Sequence, residues 1–223
     1  MVGSLHKRIY VVYNIFREFK YLSVEGGVRM KKILLFLANG FEEIEAYTVV
    51  DLLRRRNVIC DTCSIYSYKK VVGAHRIPIE ADKTLDKIDN LKPYDGVVIP
   101  GGLPGATNLR DDERVVEIVR DFSENGKLVA AICAGPIVLQ RAGILKDRKV
   151  TSYPGFDGEL KDSVYKEDIV VQDENIITAR GPATAVYFAL KILENLIDRK
   201  QVEDLKKEIL LDMVEGEFAR IDD

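Results

Sequence analysis

Cys133 stands where a nucleophilic side chain is expected in this sequence. An apolar run from Lys127 to Ile132 predicts a buried strand, and residues 137–139 open a segment with helical spacing. A side chain on such a strand-to-helix turn projects from the sheet edge beside free N–H groups of the helix start. Those N–H groups and the helix dipole favour a thiolate over a thiol. The alternative is a cysteine that only fills the core, because cysteine is among the most often buried residue types.

Glu45 is the carboxyl group with the best prospect of acting on that sulfur. It follows a continuous apolar run, residues 32–37, and it lies one turn into the helix predicted after that strand. A glutamic acid kept protonated by burial can donate a hydrogen bond to a thiolate. The neighbouring Glu42 and Glu43 need no such role, because carboxylates at a helix start are stabilised by the helix dipole.

The pair Gly101-Gly102 follows the next apolar run, residues 96–99. Glycine permits backbone conformations closed to other residues, so a main-chain N–H there can point at a bound oxygen. The segment matches neither phosphate-binding glycine pattern. A Gly-Gly turn also serves purely structural purposes, and both interpretations stay open on these residues alone.

The other cysteines and histidines predict little further chemistry. Cys60 and Cys63 have the spacing of a redox pair, but they fall on a predicted strand, where positions i and i+3 face opposite sides. Packing is therefore the favoured interpretation. The histidines are His6 and His75, so a hydrolytic triad would require His75 to reach Cys133. No His/Cys cluster has metal-ligand spacing, and we expect no metal and no cofactor.

The composition excludes several classes of function. The chain has 223 residues, 47% hydrophobic and 31% charged, with a net charge of −3. A net negative charge does not favour binding to nucleic acid or to an anionic membrane surface. No apolar run approaches the ~20 residues that span a bilayer. Three cysteines without a disulfide framework indicate a reducing compartment, and we expect a cytoplasmic protein.

Residues 1–29 differ from the rest of the chain. They carry a surplus of basic residues, and apolar positions between residues 9 and 19 suit one face of a short helix. No small-residue cleavage site follows, so a signal peptide is not expected. We expect an upstream or dispensable extension with Met30 as the start; a surface or membrane-touching helix is the alternative. The predicted organisation is an extension over 1–29, an α/β domain over 30–198 and a C-terminal helix over 199–223.

Strands and helices alternate from residue 31 onward, which predicts an α/β fold with a mostly parallel sheet sandwiched by helices. Residues 169–171 and 176–178 are expected to form a hairpin. The predicted strands are 32–37, 58–65, an edge strand from His75 to Glu80, 96–99, 128–132, 149–151 and the two hairpin strands, and the predicted helices are 44–56, 115–122, 137–142, 182–197 and 201–213.

Four segments, taken together and in this order, resemble the DJ-1/ThiJ/PfpI superfamily. They are Gly-Phe-Glu-Glu-Ile-Glu at 40–45, Ile-Pro-Gly-Gly at 99–102, Ala-Ile-Cys-Ala-Gly-Pro at 131–136 and Ala-Arg-Gly-Pro at 179–182. The match is nearest to the branch that contains the human parkinsonism-associated protein. The resemblance implies a flavodoxin-like three-layer sandwich, related to class I glutamine amidotransferases, and a homodimer.

The resemblance also implies roles for individual residues. The reactive cysteine of the family falls on Cys133 and its partner glutamate on Glu45, and the amides of the oxyanion pocket fall on Gly102 and Ala134. Gly101 belongs to the same substrate-binding turn. Peptidase-like members carry a histidine at the position of Ala134, and several close relatives carry one at the position of Tyr153, so both residues argue against chemistry that needs an imidazole. The phenol of Tyr153 is expected to hydrogen-bond or donate a proton instead, since a phenol is a poor base at neutral pH.

Three functions are compatible with these residues. The leading hypothesis is a cofactor-independent glyoxalase or protein deglycase, with a methylglyoxal-type 2-oxoaldehyde or its early protein adduct as substrate and Cys133 as nucleophile. The alternative is a redox sensor or stress-response chaperone without turnover, in which Cys133 is oxidised to the sulfinic acid. A cysteine peptidase or amidase is the weakest of the three.

Overall fold

The computed structural model describes residues 29–221, with side-chain surroundings given as far as residue 218. The residues from Lys31 onward form one compact unit. The extension predicted over residues 1–29 lies almost wholly outside the described residues, so its status stays a prediction. No helix in the described part of the chain is long and apolar enough to cross a membrane.

The strands are short, and the strands of the central sheet mostly alternate with helices, as the pattern of apolar runs predicts. In chain order they are β1 (Lys32–Leu37), β2 (Ile59–Ser64), β3 (Lys70–Val72), β4 (Pro78–Glu80), β5 (Lys83–Thr84), β6 (Gly96–Ile99), β7 (Leu128–Ile132), β8 (Lys149–Val150), β9 (Val164–Tyr165), β10 (Val170–Asp173) and β11 (Ile176–Ala179).

The α-helices follow the same alternation. They are α1 (Glu43–Arg55), α2 (Gly105–Arg110), α3 (Glu113–Glu124), α4 (Pro136–Arg141), α5 (Ala185–Glu194), α6 (Arg199–Glu208) and α7 (Leu211–Ile221). Single 3₁₀ turns lie at Leu85–Lys87, Asp157–Glu159 and Pro182–Thr184. The last of these starts the predicted helix 182–197, in keeping with the preference of proline for a first helical turn.

The central sheet has seven strands in the order β10-β11-β7-β6-β1-β2-β5. Every neighbouring pair is parallel except β10–β11, which forms the predicted antiparallel hairpin. Without the edge strands β5 and β10, the parallel strands taken in chain order run 2-1-3-4-5, which is the flavodoxin-like order. The predicted α/β sandwich with a mostly parallel sheet is therefore confirmed.

Strand β1 shows why these apolar runs become central strands. Ile33, Leu35 and Leu37 pack into a core with residues of α1, α5 and α6, while Leu34 and Phe36 pack into a second core with residues of α2, α3 and α4. All five side chains are fully buried. A strand covered by helices on both faces must be apolar at every position rather than at alternate ones.

Cys60 and Cys63 lie on β2 with their side chains in different cores. Cys60 packs on the α1 face of the sheet and Cys63 on the α3 face. Both thiols are free and buried. The prediction that these cysteines face opposite sides and serve packing is confirmed by this placement.

The predicted edge strand from His75 to Glu80 is wrong in its first half. His75 lies in a turn that is closed by the hydrogen bonds from Gly73 N–H to Ile77 O (3.0 Å) and from Arg76 N–H to Gly73 O (3.1 Å). Strand β4 begins only at Pro78, and it pairs with β3 in a separate two-stranded antiparallel sheet. The turn, and not a strand, sets the position of His75.

The predicted C-terminal helix 201–213 is wrong as a single element. Helix α6 ends at Glu208 and α7 begins at Leu211, with Leu210 between them at φ 60°. A residue in the left-handed region ends an α-helix. The change of direction lets Leu211 join the core that already holds Val202 and Leu205 of α6.

Candidate active site

Three loops meet at the carboxyl-end edge of the sheet, where ligands bind in open α/β folds. They follow β1, β6 and β7, which are adjacent strands at the point where the strand order reverses. The loop after β1 leads into α1, whose first turn carries Glu45; the loops after β6 and β7 carry Gly101-Gly102 and Cys133. The structure thus brings together the residues that the sequence placed in three separate segments.

Cys133 occupies a sharp turn between β7 and α4. Its φ is 63°, in a region that residues with a Cβ rarely adopt and that is found at functional turns. Two main-chain hydrogen bonds hold the turn: Cys133 N–H donates to Ala179 O at 2.9 Å, and Tyr153 N–H donates to Cys133 O at 2.9 Å. The side chain is half-buried, which leaves the sulfur within reach of a small ligand.

Two backbone N–H groups point at the sulfur of Cys133. One belongs to Ala134, the next residue along the chain, and the other to Gly102 in the loop after β6. Gly102 has a φ of 85°, a conformation that glycine adopts without strain. Paired N–H groups of this kind stabilise negative charge on sulfur or on an oxygen bonded to the adjacent carbon.

The carboxyl group of Glu45 completes the cluster. Glu45 is fully buried, its Oε2 accepts a hydrogen bond from Gly101 N–H at 2.7 Å, and its side chain also hydrogen-bonds the Cys133 thiol. Oε1 is buried as well and has no hydrogen-bond partner among the described residues. A buried carboxyl with so few partners is costly to ionise, which suits a group that holds a proton.

Only glycine fits at position 101. A Cβ there would lie 2.5 Å from the Cβ of Cys133 and 2.7 Å from Oε2 of Glu45. Both distances are shorter than van der Waals contact, so a side chain would push the thiol and the carboxyl apart. Gly101 therefore contributes to the site by its N–H and by its lack of bulk.

Burial decides the protonation of this pair. It raises the pKa of Cys133 to about 12, with the negative charge of Glu45 acting in the same direction and the two N–H groups opposing it. Burial also raises the pKa of Glu45 to about 7, against the hydrogen bonds from Gly101 and Cys133. The thiolate expected from the helix start is therefore not the favoured form: near neutral pH the thiol keeps its proton, and Glu45 is the group that titrates.

The structure does not bring His75 into this cluster. Its ring atom Nδ1 lies 2.9 Å from Glu43 Oε2, and its main-chain N–H donates to Glu43 Oε1 at 2.9 Å. The hydrogen bond with Glu43 raises the pKa of His75. Sequence reasoning missed this contact because 32 residues separate the partners. Glu42, Glu43 and His75 are the described residues whose donor atoms lie close enough together to hold a metal ion.

Tyr153 supports the site through its main chain. Its N–H donates to the carbonyl of Cys133 and its ring lies beside Gly181, while the residue as a whole is 48% exposed. The sequence suggested a phenol that hydrogen-bonds substrate or donates a proton. The contacts in the structure give Tyr153 a role in fixing the turn instead.

Comparison with known proteins agrees with this geometry. A model of the DJ-1/PfpI family matches residues 31–195. The chain belongs to the DJ-1/PfpI family. It is 37% identical over 182 residues to Protein DJ-1alpha of Drosophila melanogaster, with 81% of this chain and 84% of the relative covered.

Two other members of the DJ-1/PfpI family bear on the chemistry. The Schizosaccharomyces pombe protein named Glutathione-independent glyoxalase DJ-1 is 31% identical over 189 residues, which cover 81% of this chain and 98% of that protein. The solved structure of oxidized Toxoplasma gondii DJ-1 superposes with a TM-score of 0.77 at 34% identity, covering 81% of this chain and 98% of that chain. Both span nearly the whole of the α/β domain described above.

Proposed function

We propose that this protein is a cofactor-independent glyoxalase or protein deglycase that acts on methylglyoxal-type 2-oxoaldehydes or their early protein adducts. The observation that carries the proposal is the buried Glu45 carboxyl in hydrogen-bond contact with the Cys133 thiol, with two N–H groups on the same sulfur. A base, a nucleophile and an oxyanion site are the groups that this reaction needs. The Schizosaccharomyces pombe relative named as a glutathione-independent glyoxalase supports the same class of reaction.

The first step forms a hemithioacetal. Glu45, ionised above about pH 7, accepts the thiol proton as the sulfur of Cys133 attacks the aldehyde carbon C1. The C1 oxygen gains negative charge as the C–S bond forms, and the N–H groups of Gly102 and Ala134 stabilise that charge. The proton held by Glu45 then passes to this oxygen, which leaves the carboxylate free.

The second step moves a hydrogen from C1 to C2. The Glu45 carboxylate removes the C1 proton while a proton from water reaches the C2 carbonyl oxygen, which gives an enediol. Glu45 returns its proton to C2, and the C1 hydroxyl releases its proton to water as the carbonyl group of the thioester forms. Two electrons leave C1 and two arrive at C2, so the rearrangement needs no external oxidant or reductant.

The last step is hydrolysis of the thioester. Water adds at C1 with Glu45 as general base, the C–S bond breaks, and the thiol of Cys133 recovers a proton. The product is a 2-hydroxy acid, which is lactate when methylglyoxal is the substrate. With an early protein adduct, the C1–N bond breaks as the C1–S bond forms, and Glu45 passes the thiol proton to the departing amine, which gives the same hemithioacetal.

Lactate formation tests this proposal. The purified protein is incubated with methylglyoxal without glutathione, and lactate is followed by NMR. We expect catalytic turnover in the native chain and its loss in Cys133→Ser. Equal lactate production by the native chain and Cys133→Ser would refute the assignment of the nucleophile, and no lactate from either would refute the glyoxalase activity.

Redox sensing is the second candidate function, and it is supported by the solved structure of a relative, Toxoplasma gondii DJ-1, in an oxidized form. Two molecules of hydrogen peroxide would oxidise the sulfur of Cys133, first to the sulfenic and then to the sulfinic acid, and each peroxide would transfer one oxygen atom and leave as water. Protonated Glu45 and the N–H groups of Gly102 and Ala134 are suited to hold the new oxygen atoms. Formation of this acid under mild peroxide, with no lactate from methylglyoxal, would select this function.

The peptidase or amidase alternative loses support in the structure. It requires an imidazole beside Cys133, whereas His75 is paired with Glu43 and the position after the cysteine is Ala134. For the assembly and its location, we propose a cytoplasmic homodimer whose partners do not include nucleic acid or membrane. Its substrate is a small oxoaldehyde or a glycated side chain.

A further inference from the structure

Glu42, Glu43 and His75 form a second cluster of titratable groups, distinct from Cys133 and Glu45. Two segments supply it: the start of α1 carries both carboxylates, and the turn before β4 carries the imidazole. The carboxylates are largely buried, with side-chain exposures of 13% for Glu42 and 11% for Glu43, whereas the ring of His75 is 68% exposed. The cluster is therefore open to solvent on the histidine side only.

The Glu43 carboxylate is fixed by a cradle in the opposite turn. Gly73 faces it, and a Cβ at that position would lie 2.1 Å from Glu43 Oε1. The N–H of His75 donates to the same oxygen at 2.9 Å. One oxygen of Glu43 is thus held by the backbone, and the other, Oε2, is directed at the imidazole.

The side-chain counter-charge of this cluster is His75. His75 is the ion-pair partner that the described residues offer to Glu42 and Glu43, and neither carboxylate pairs with a lysine or arginine there. Oε1 of Glu42 lies 3.6 Å from Nδ1 of His75, which is longer than a hydrogen bond. Two adjacent, largely buried carboxylates with a single histidine as counter-charge have oxygen atoms that a cation could bind.

The spacing of the three donor atoms suits a small divalent ion. Nδ1 of His75 lies 2.9 Å from Glu43 Oε2 and 3.6 Å from Glu42 Oε1. Ligands bound tetrahedrally at about 2.0–2.1 Å lie about 3.3–3.4 Å from one another. Shifts of a few tenths of an ångström would bring these two pairs to that spacing, and the donor atoms of all three residues already lie within 4.8 Å of one another.

We propose that Glu42, Glu43 and His75 bind a divalent transition cation of the zinc class. One imidazole nitrogen and two carboxylate oxygens form a donor set that zinc accepts, with water in the fourth position. The main-chain N–H of His75 donates to Glu43 Oε1, and a hydrogen bond of this kind orients a carboxylate that binds a metal through its other oxygen. The sequence alone does not predict this site, because the fold joins residues 42–43 to residue 75.

Zinc titration by calorimetry tests the proposal, using the full chain with Cys133→Ser so that the reactive thiol cannot bind the metal. We expect saturable binding of one Zn²⁺ per chain. His75→Ala and, separately, Glu42→Gln should each weaken the affinity at least about tenfold. Glu42 makes no side-chain cap hydrogen bond to α1, so the second variant leaves the helix start intact.

His6→Ala is the matched control, because His6 is the only other histidine of the sequence and lies outside the described residues. We expect it to leave the zinc affinity unchanged. Absence of saturable binding, or equal affinity in His75→Ala and its parent, would overturn the proposal. Equal weakening by His6→Ala and His75→Ala would do the same, since it would indicate nonspecific coordination by surface imidazoles.

Discussion

The cysteines of β2 and the cysteine of the β7–α4 turn carry thiols with similarly raised pKa values. Burial raises the pKa of Cys60, Cys63 and Cys133 to about 12 in each case. Their surroundings nevertheless differ. Cys60 lies among apolar side chains, and the Cys63 thiol donates to the carbonyl of its neighbour Ser64 at 3.7 Å. Cys133 has a carboxyl group and two N–H groups on its sulfur.

This contrast shows what makes the sulfur of Cys133 reactive. A low resting pKa does not distinguish the three thiols, so the decisive difference is a base in contact with one of them. Glu45 can take the proton at the moment of attack, and the N–H groups stabilise the charge that then forms. Cys60 and Cys63 are buried in the core, out of reach of a substrate.

Substitution of single cysteines should show the largest difference between the two regions. Cys133→Ser should reduce lactate formation from methylglyoxal at least about a thousandfold, because the reaction loses its nucleophile. Cys63→Ala should retain turnover within about threefold and lower the free energy of unfolding by about 1–2 kcal/mol, because it only removes core packing. Comparable turnover losses in the two variants would erase the distinction.

Removal of the base should have the next largest effect. Glu45→Gln keeps the size of the side chain but cannot accept the thiol proton, so kcat should fall about 10²–10⁴-fold. Glu43→Gln is the matched control, because Glu43 lies on the same helix and pairs with His75 rather than Cys133. Turnover in Glu45→Gln equal to that of Glu43→Gln would show that Glu45 is not the base.

The pH dependence of turnover should report the titration of Glu45. Below the raised pKa of Glu45, about 7, both groups are protonated and no base is available. We expect kcat/KM to fall about tenfold per pH unit below that value and to level off above it. Glu45→Gln should lose this acid limb, whereas a limb that persists in the variant would assign the titration to another group.

The free energy of unfolding should also depend on the titration of Glu45, and it should fall as the pH rises. The pKa of Glu45 is higher in the folded chain than its ordinary 4.5, so the folded state holds this proton more tightly. Its stabilising contribution is fully present below about pH 4.5 and is lost as the pH rises through about 7. Chemical unfolding at several pH values should show this decline relative to Glu45→Gln. Parallel curves for the two proteins would contradict the raised pKa.

The smallest effect should come from the phenol of Tyr153. Its N–H, and not its hydroxyl, contacts the Cys133 turn. Tyr153→Phe keeps that hydrogen bond and should retain turnover within about threefold. A loss of more than tenfold in kcat would restore the phenol as a proton donor.

The sequence predicts most of the sheet and the core of the candidate site. Strands such as β1 and β7 are continuous apolar runs between helical segments, and that pattern has few alternatives in an α/β fold. Cys133, Gly102 and Glu45 each follow such a strand. Since the carboxyl ends of neighbouring parallel strands share one edge, their proximity follows from strand order.

The remaining features depend on contacts that no local pattern encodes. The break between α6 and α7 falls at Leu210, where no glycine, proline or asparagine marks it. Helix α2 has only six residues and begins at a glycine, too short for helical periodicity to show. The protonation of the thiol also escaped prediction, because it depends on how deeply Glu45 and Cys133 are buried together.

A brief methylglyoxal pulse followed by quenching and peptide mass spectrometry tests the central claim most directly. The account predicts a transient substrate adduct on the peptide that contains Cys133, none on the peptide that contains Cys60 and Cys63, and lactate accumulating as the adduct decays. Lactate formed without any adduct on Cys133, or equal modification of the two peptides, would contradict it.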